Sequence, residues 1–216
     1  MMKGIYFISG IDTDAGKSFV TGYLAKCALD EGINVTTMKF IQTGGLTENG
    51  YSLDIEIHRE IMQNGFTEED KLGITAPVVF SYPASPHLAS EIDKKPINYN
   101  KITESIDFLS KKYELLFIEG AGGLHVPLDQ NKTTIDYVKE HGFKVILATG
   151  GKLGSINHTI LSLEALKVRN IEVAYVVYNR YFGKDDTIID NDSFNYIKNY
   201  VNKHFPDTTF IEKPAI

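Results

Sequence analysis

Ile5, Tyr6, Phe7 and Ile8 make an unbroken apolar, β-prone run, the pattern of a strand buried on both faces. Gly10 breaks it, a polar stretch runs to Gly16, and Phe19, Val20, Tyr23, Leu24 and Cys27 then recur at helical spacing. Gly32 closes that helix and 33–40 reads as a second strand, while 43–52, rich in Gly, Thr and Asn, reads as loop. Leu53, Ile57 and Ile61 predict a helix over 53–62 that opens on Asp54. The stretch 63–97 carries Pro77, Pro83, Pro86 and Pro96 and predicts irregular cover over a sheet edge, with short helical pieces at 68–72 and 87–91.

Regular alternation then resumes. Helices are expected over 102–113, 134–141, 154–168 and 192–204, and strands over 115–118, 144–149, 171–178 and 208–211. Strands alternating with helices of this length imply an α/β, single-domain, doubly wound and mainly parallel sheet of about seven strands, with helices on both faces. No repeat, low-complexity tract or linker interrupts 1–216, so one domain is expected throughout. Ligands of such sheets bind beyond the carboxyl ends of the strands. Here those ends carry Gly10–Ser18, Lys39, Glu119 with its glycines, Gly150-Gly151 and Asn179, which should converge on one cleft.

The composition narrows this little. With 43% hydrophobic and 23% charged residues the chain is an ordinary globular one of 216 residues. Its net charge of −6 argues against a nucleic-acid partner but leaves room for a local basic pocket. Cys27, the single cysteine, has no partner for a disulfide and reads as a small core residue. No apolar run approaches ~20 residues and no secretory leader precedes the first strand, so no membrane contact and a cytoplasmic location are expected.

The chemistry concentrates at the first strand end. Strand, glycine-bounded loop, Gly16-Lys17-Ser18 and helix are the plan of a phosphate-binding loop. Backbone N–H groups at the helix start face an anion, Lys17 adds a point charge, and the Ser18 hydroxyl suits Mg²⁺. The usual loop encloses about four residues between its glycines; Gly10 and Gly16 enclose five. Glu119 closes a buried strand and either holds Mg²⁺ or caps a neighbouring turn; Asp54 either joins it or serves only the helix dipole. Lys39 ends a strand, where it either stabilises charge during phosphoryl transfer or is solvated at a sheet edge. His87 has no Cys or second His at metal-ligand spacing, which argues against a zinc site, and His58, His125, His141, His158 and His204 are scattered and read as surface or loop residues.

Five segments together resemble the dethiobiotin synthetases: Gly10-Ile-Asp-Thr-Asp-Ala-Gly-Lys-Ser18, Lys39-Phe-Ile-Gln-Thr-Gly44, Pro83-Ala-Ser-Pro-His87, Glu119-Gly-Ala-Gly-Gly123 and Gly154-Ser-Ile-Asn-His158. The family's loop has the same extra residue. Ile11, Ser18 and Phe40 depart from its usual threonine, threonine and proline, and the likeness thins after Arg180. The resemblance implies a phosphate-loop NTPase fold and an ATP- and Mg²⁺-dependent ligase of biotin biosynthesis. One amine of 7,8-diaminononanoate captures CO₂ as a carbamate, the carbamate attacks the γ-phosphate, and the second amine displaces phosphate to close a cyclic urea. It implies catalytic roles for Lys17 and Lys39. It further implies that Asp12, Thr13, Asp14, Ala15, Gly16, Lys17, Ser18, Phe19, Glu119 and Gly122 hold the nucleotide, with Asn179 and Arg180 towards its base. Thr13, Lys39, Thr43 and Asn157 would bind substrate, Asn157 across a homodimer interface, and Ser18, Asp54 and Glu119 would hold the metal.

The competing class is a switch ATPase of the partitioning or septum-positioning type, a binding machine on a similar sheet. Its signature lysine would fall at Asp12, and neither a basic face nor a membrane-binding terminal helix is visible. The synthetase domain of a cobyrinate amidotransferase would come with a glutaminase domain and its catalytic cysteine, which this chain lacks.

Overall fold

The computed structural model describes residues 2–183 and 186–215. Its strands are β1 (Gly4–Gly10), β2 (Val35–Lys39), β3 (Gln42–Thr43), β4 (Val79–Phe80), β5 (Leu115–Gly123), β6 (Lys144–Gly150), β7 (Val173–Asn179) and β8 (Thr209–Lys213). Six of them form one sheet in the order β2-β5-β1-β6-β7-β8, every neighbouring pair parallel. β1 is central. The connection to β2 winds towards one edge, and the later step from β5 to β6 crosses to the other side of β1. The carboxyl ends of β1, β5 and β6 therefore border the crevice where such sheets take ligands.

The alternation of side chains along β1 splits the interior in two. Phe7 joins Leu116, Ile118, Val145 and Leu147 on one face. There they meet Ile106 and Leu109 of α5 (Tyr99–Lys112), Val138 of α6 (Thr134–Glu140), Leu163 of α7 (Ser155–Val168) and Ile197 of α8 (Thr187–His204). Tyr6 and Ile8 point the other way with Phe117, Ile146 and Ala148, onto Val20, Leu24, Ala25 and Ala28 of α1 (Lys17–Asp30) and Met62 of α2 (Leu53–Met62). Burying one such side chain contributes about 2–3 kcal/mol, so the two apolar layers fix the sheet that carries the site.

Several boundaries differ from the sequence expectation. β3 and β4 pair as a separate two-stranded sheet within stretches read as loop and irregular cover; two residues each are too few to show a period. The main sheet accordingly has six strands. β5 runs on through Glu119-Gly120-Ala121-Gly122-Gly123, because Gly10 of β1 still pairs with Gly123. α5 starts at Tyr99, since the Asn98 side chain accepts from Lys101 N at 3.0 Å, and α8 starts at Thr187, since Asp186 accepts from the amides of Ile188 and Ile189, both at 3.0 Å. The short pieces expected at 68–72 and 87–91 are α3 (Glu68–Lys71) and α4 (Pro86–Ile92).

α2 has the expected span but another inward face. Ile55, His58, Arg59 and Met62 are buried, whereas Leu53 is exposed and Ile57 and Ile61 are only partly covered. Ile61 turns to α1, where its Cδ1 would lie 2.8 Å from a Cβ at Gly22. The buried Arg59 is forked onto Asp70 by Nε and Nη2, each at 2.8 Å, and Asp70 also accepts from Thr75 Oγ1 at 2.6 Å. A buried charge is tolerated because every polar atom around it is paired.

Candidate active site

β1 ends at Gly10, where a Cβ would lie 2.8 Å from Asp12 O and 2.9 Å from Ala15 Cβ, so the tight turn needs glycine. At the other end of the loop Gly16, at φ 74°, is the N-cap of α1 and has no side-chain cap. No N-cap side chain therefore takes any of the first amides of α1, the arrangement in which a helix start can hold an anion. Lys17 folds back over the loop, its Nζ donating to the carbonyls of Asp12 (3.1 Å) and Thr13 (2.9 Å). Burial, with the positive charge of Lys39 nearby, pushes its pKa down to about 8.

Four side chains from four elements meet beside this loop. Ser18 Oγ lies 2.7 Å from Asp54 Oδ1 of α2 and 3.0 Å from Glu119 Oε1 of β5. Lys39, at the end of β2, places Nζ 2.6 Å from Asp54 Oδ2 and 2.9 Å from Glu119 Oε1, and also donates to Gly120 O at 3.2 Å. The pairing of Lys39 with Glu119 follows from the sheet, since the two are register partners on adjacent strands. Burial works against charge on both groups. The carboxylates nonetheless outweigh it and hold Lys39 above the ordinary lysine value, while Lys39 and His58 hold Glu119 far below the usual carboxylate range. A fully ionised pair thus stands at the floor of the cleft.

His58 corrects the sequence reading. It is neither surface nor loop but fully buried on α2, with Nε2 2.6 Å from Glu119 Oε2 and Nδ1 3.0 Å from Thr37 Oγ1. The one signal in the sequence is its spacing of four from Asp54, which puts both on one face of a helix.

These groups open on a cleft of about 650 Å³. Thr13, Asp14, Gly16, Lys17, Ser18, Phe19, Lys39, Thr43, Asp54, Glu119 and Gly122 line it, as does Lys152, which sequence reasoning missed although it follows the glycine pair at the end of β6. Lys152 also borders a smaller hollow beyond the loop, lined by Asp12, Ala15 and Gly150. Three cations therefore surround one open space.

Asp12 and Ala15 border only the smaller hollow, and Asn179, Arg180 and Asn157 stand outside both spaces. Asn179, at the end of β7, is fully buried; its Oδ1 accepts from Tyr181 N at 3.2 Å and its Nδ2 has no hydrogen-bond partner among the described residues. Arg180 is engaged by Asp190 (2.6 Å) and Glu212 (2.8 Å) and lies 3.9 Å above the Phe194 ring. Close by, the exposed rings of Phe19 and Tyr181 are parallel, with centroids 6.2 Å apart and planes 10° from each other. Asn157 is exposed in the first turn of α7, whose N-cap is Gly154, so it does not cap its own helix. Ile216, at the end of the C-terminal segment, lies outside the described residues. Among the described residues no helix is long and apolar enough to cross a membrane.

An AAA domain family model matches residues 5–204. The ATP-dependent dethiobiotin synthetase BioD 2 of Pasteurella multocida is 44% identical over 97% of this chain and 96% of its own length. That of Haemophilus influenzae is 47% identical over 83% of this chain and 93% of its own. Among solved structures a ParA family ATPase from Chlorobium tepidum superimposes with a TM-score of 0.55, covering 98% of this chain and 84% of that one at 16% identity. Likeness at that identity speaks for the winding of the sheet alone, and it is a likeness the switch ATPases share. Agreement over nearly the full length of both sequences says more, and by it this chain belongs to the ATP-dependent dethiobiotin synthetases, the C–N ligases of biotin biosynthesis.

Proposed function

We propose that the cleft binds ATP and 7,8-diaminononanoate side by side, with Lys39 between them, and that residues 1–216 act as one synthetase domain. The observation that carries this reading is the position of the Lys39 ammonium. It stands between Asp54 and Glu119 at the cleft floor, beside the phosphate loop. Lys17 gives up the carbonyls of Asp12 and Thr13 for the phosphates of ATP, since two neutral acceptors hold an ammonium less firmly than an anion does. Asn179, whose amide nitrogen lacks a partner among the described residues, takes an edge of the base, with Arg180 and the Phe19 and Tyr181 rings around it.

The same floor suits Mg²⁺. Ser18, Asp54 and Glu119 bring hard oxygens together, and both carboxylates are already within hydrogen-bond distance of the Lys39 ammonium. Among the described residues there is no cage of three or more His, Cys, Asp or Glu. Mg²⁺ does not need one, because it keeps waters and takes phosphate oxygens to fill its shell. When bound it supplies positive charge to the β- and γ-phosphates.

The chain's own groups then account for the reaction. One amine of the substrate loses a proton and bonds to CO₂ as a carbamate, an anion that Lys39 can pair. A carbamate oxygen bonds to the γ-phosphorus as the bond to ADP breaks, with Lys17 and Lys39 on the charge that spreads over the phosphoryl oxygens. The second amine then bonds to the carbamate carbon, losing a proton, and inorganic phosphate leaves as the cyclic urea closes. Thr13 and Thr43, which both line the cleft, hold the diamine end. The substrate's carboxylate, far along its aliphatic chain, reaches Asn157 at the start of α7 in a second copy of the chain, where free helix amides favour an anion.

Glu119→Gln tests the metal assignment. It keeps the shape of the side chain but removes its charge, and is expected to raise the Mg²⁺ needed for half-maximal dethiobiotin formation by about tenfold. An unchanged Mg²⁺ titration would leave Glu119 as a structural partner of Lys39 and His58 only.

A further inference from the structure

The two oxygens of Glu119 serve different neighbours. Oε1 faces the cleft and accepts from Ser18 Oγ and Lys39 Nζ. Oε2 is turned inward onto His58 Nε2 at 2.6 Å. His58 is fully buried and lines no part of the cleft, so it cannot touch substrate or nucleotide.

Behind His58 the contacts continue. Its Nδ1 lies 3.0 Å from Thr37 Oγ1, which accepts from Arg59 Nη1 at 2.9 Å, and Arg59 is anchored on Asp70. The ends of this chain fix its direction. Arg59 can only donate and the ionised Glu119 can only accept. Nε2 therefore donates its N–H to Glu119, and Thr37, which accepts from Arg59, has its hydroxyl hydrogen left to donate to Nδ1. The hydrogen bonds run from Arg59 through Thr37 and His58 to the carboxylate.

We infer that His58 is a positioning residue for the synthetase reaction, its Nε2–H pinning Glu119 Oε2 so that Oε1 stays turned towards Ser18, Lys39 and the metal. The terminal torsion of a glutamate is broad, so packing alone does not fix the tilt of the carboxylate plane and with it the direction in which the cleft-side oxygen points. Without the pin, Glu119 turns both oxygens on Lys39, the other strong donor within reach, and draws that ammonium away from the transferring phosphoryl group. The inference rests on the proposed Mg²⁺ role of Glu119.

Three variants separate positioning from space-filling. His58→Leu removes both hydrogen bonds and keeps much of the volume. His58→Gln restores an N–H donor near Nε2, and Thr37→Val removes the relaying hydroxyl alone. ATP affinity is measured by calorimetry with Mg²⁺ and with a chelator, alongside the Mg²⁺ titration of activity. His58→Leu is expected to weaken Mg²⁺-dependent ATP binding about tenfold and to raise the Mg²⁺ requirement likewise, while chelator affinity stays as in the wild type. His58→Gln recovers most of the loss, and Thr37→Val shows a smaller shift in the same direction.

A folded His58→Leu protein with wild-type Mg²⁺-dependent affinity would overturn the inference, and so would a His58→Gln protein as impaired as His58→Leu. Should His58→Leu not fold, Thr37→Val decides, and an unchanged Mg²⁺ dependence there overturns the relay. Glu119→Gln keeps the two readings apart. If it shifts the Mg²⁺ titration and His58→Leu does not, the positioning role fails while the metal site stands; if neither shifts it, both fail.

Discussion

Lys39→Ala is expected to lower turnover by about a thousandfold while leaving ATP affinity within a few-fold of the wild type. The Lys39 ammonium comes from the end of β2 and stands between Asp54 and Glu119, beside the phosphate loop but not part of it, and its proposed work is on the carbamate and the transferring phosphoryl group. Lys17→Ala should abolish turnover to a similar degree but weaken ATP as well. Lys17 belongs to the loop, and its present partners are two loop carbonyls that ATP would replace. Calorimetry of both variants decides the division of labour. Equal losses of ATP affinity would argue that the two lysines share one task.

A mixture of two dead proteins should regain activity. Asn157 is exposed and does not cap α7, and it lies outside the cleft of its own chain. If it completes the site of a partner subunit, a heterodimer of Lys39→Ala and Asn157→Ala chains has one site with both residues and one with neither. Co-folding equal amounts of the two variants, each inactive alone, is then expected to restore about a quarter of the wild-type rate, given random pairing and one intact site per mixed dimer. A heterodimer verified by native mass spectrometry that stays inactive would contradict the shared site.

Sequence and structure agree best where a motif is contiguous. The run from Ile5 to Phe19 sets strand, turn and helix with little reference to the rest of the chain, and β1, the loop and α1 lie where it put them. Strand ends were legible too, because a parallel sheet collects its chemistry at one edge: Lys39 and Glu119 came together by register alone. α2 shows the opposite case. Leu53, Ile57 and Ile61 gave its period, yet the face it buries carries His58 and Arg59. Their partners Thr37, Asp70 and Glu119 are brought near only by the fold, with His58 and Glu119 61 residues apart in the chain. A histidine without a neighbouring metal-ligand pattern looks like surface until that partner is known. Short strands such as β3 and β4 escaped because hydrogen bonds to each other, and not side-chain alternation, define them.

The most direct measurement is phosphate release from ATP by the purified chain, with its co-reactants added one at a time. The account predicts slow release with ATP and Mg²⁺ alone, little gain from either bicarbonate or 7,8-diaminononanoate, and a large, stoichiometric burst of phosphate and dethiobiotin only with both. Release stimulated by DNA or lipid vesicles, and indifferent to the diamine, would contradict it.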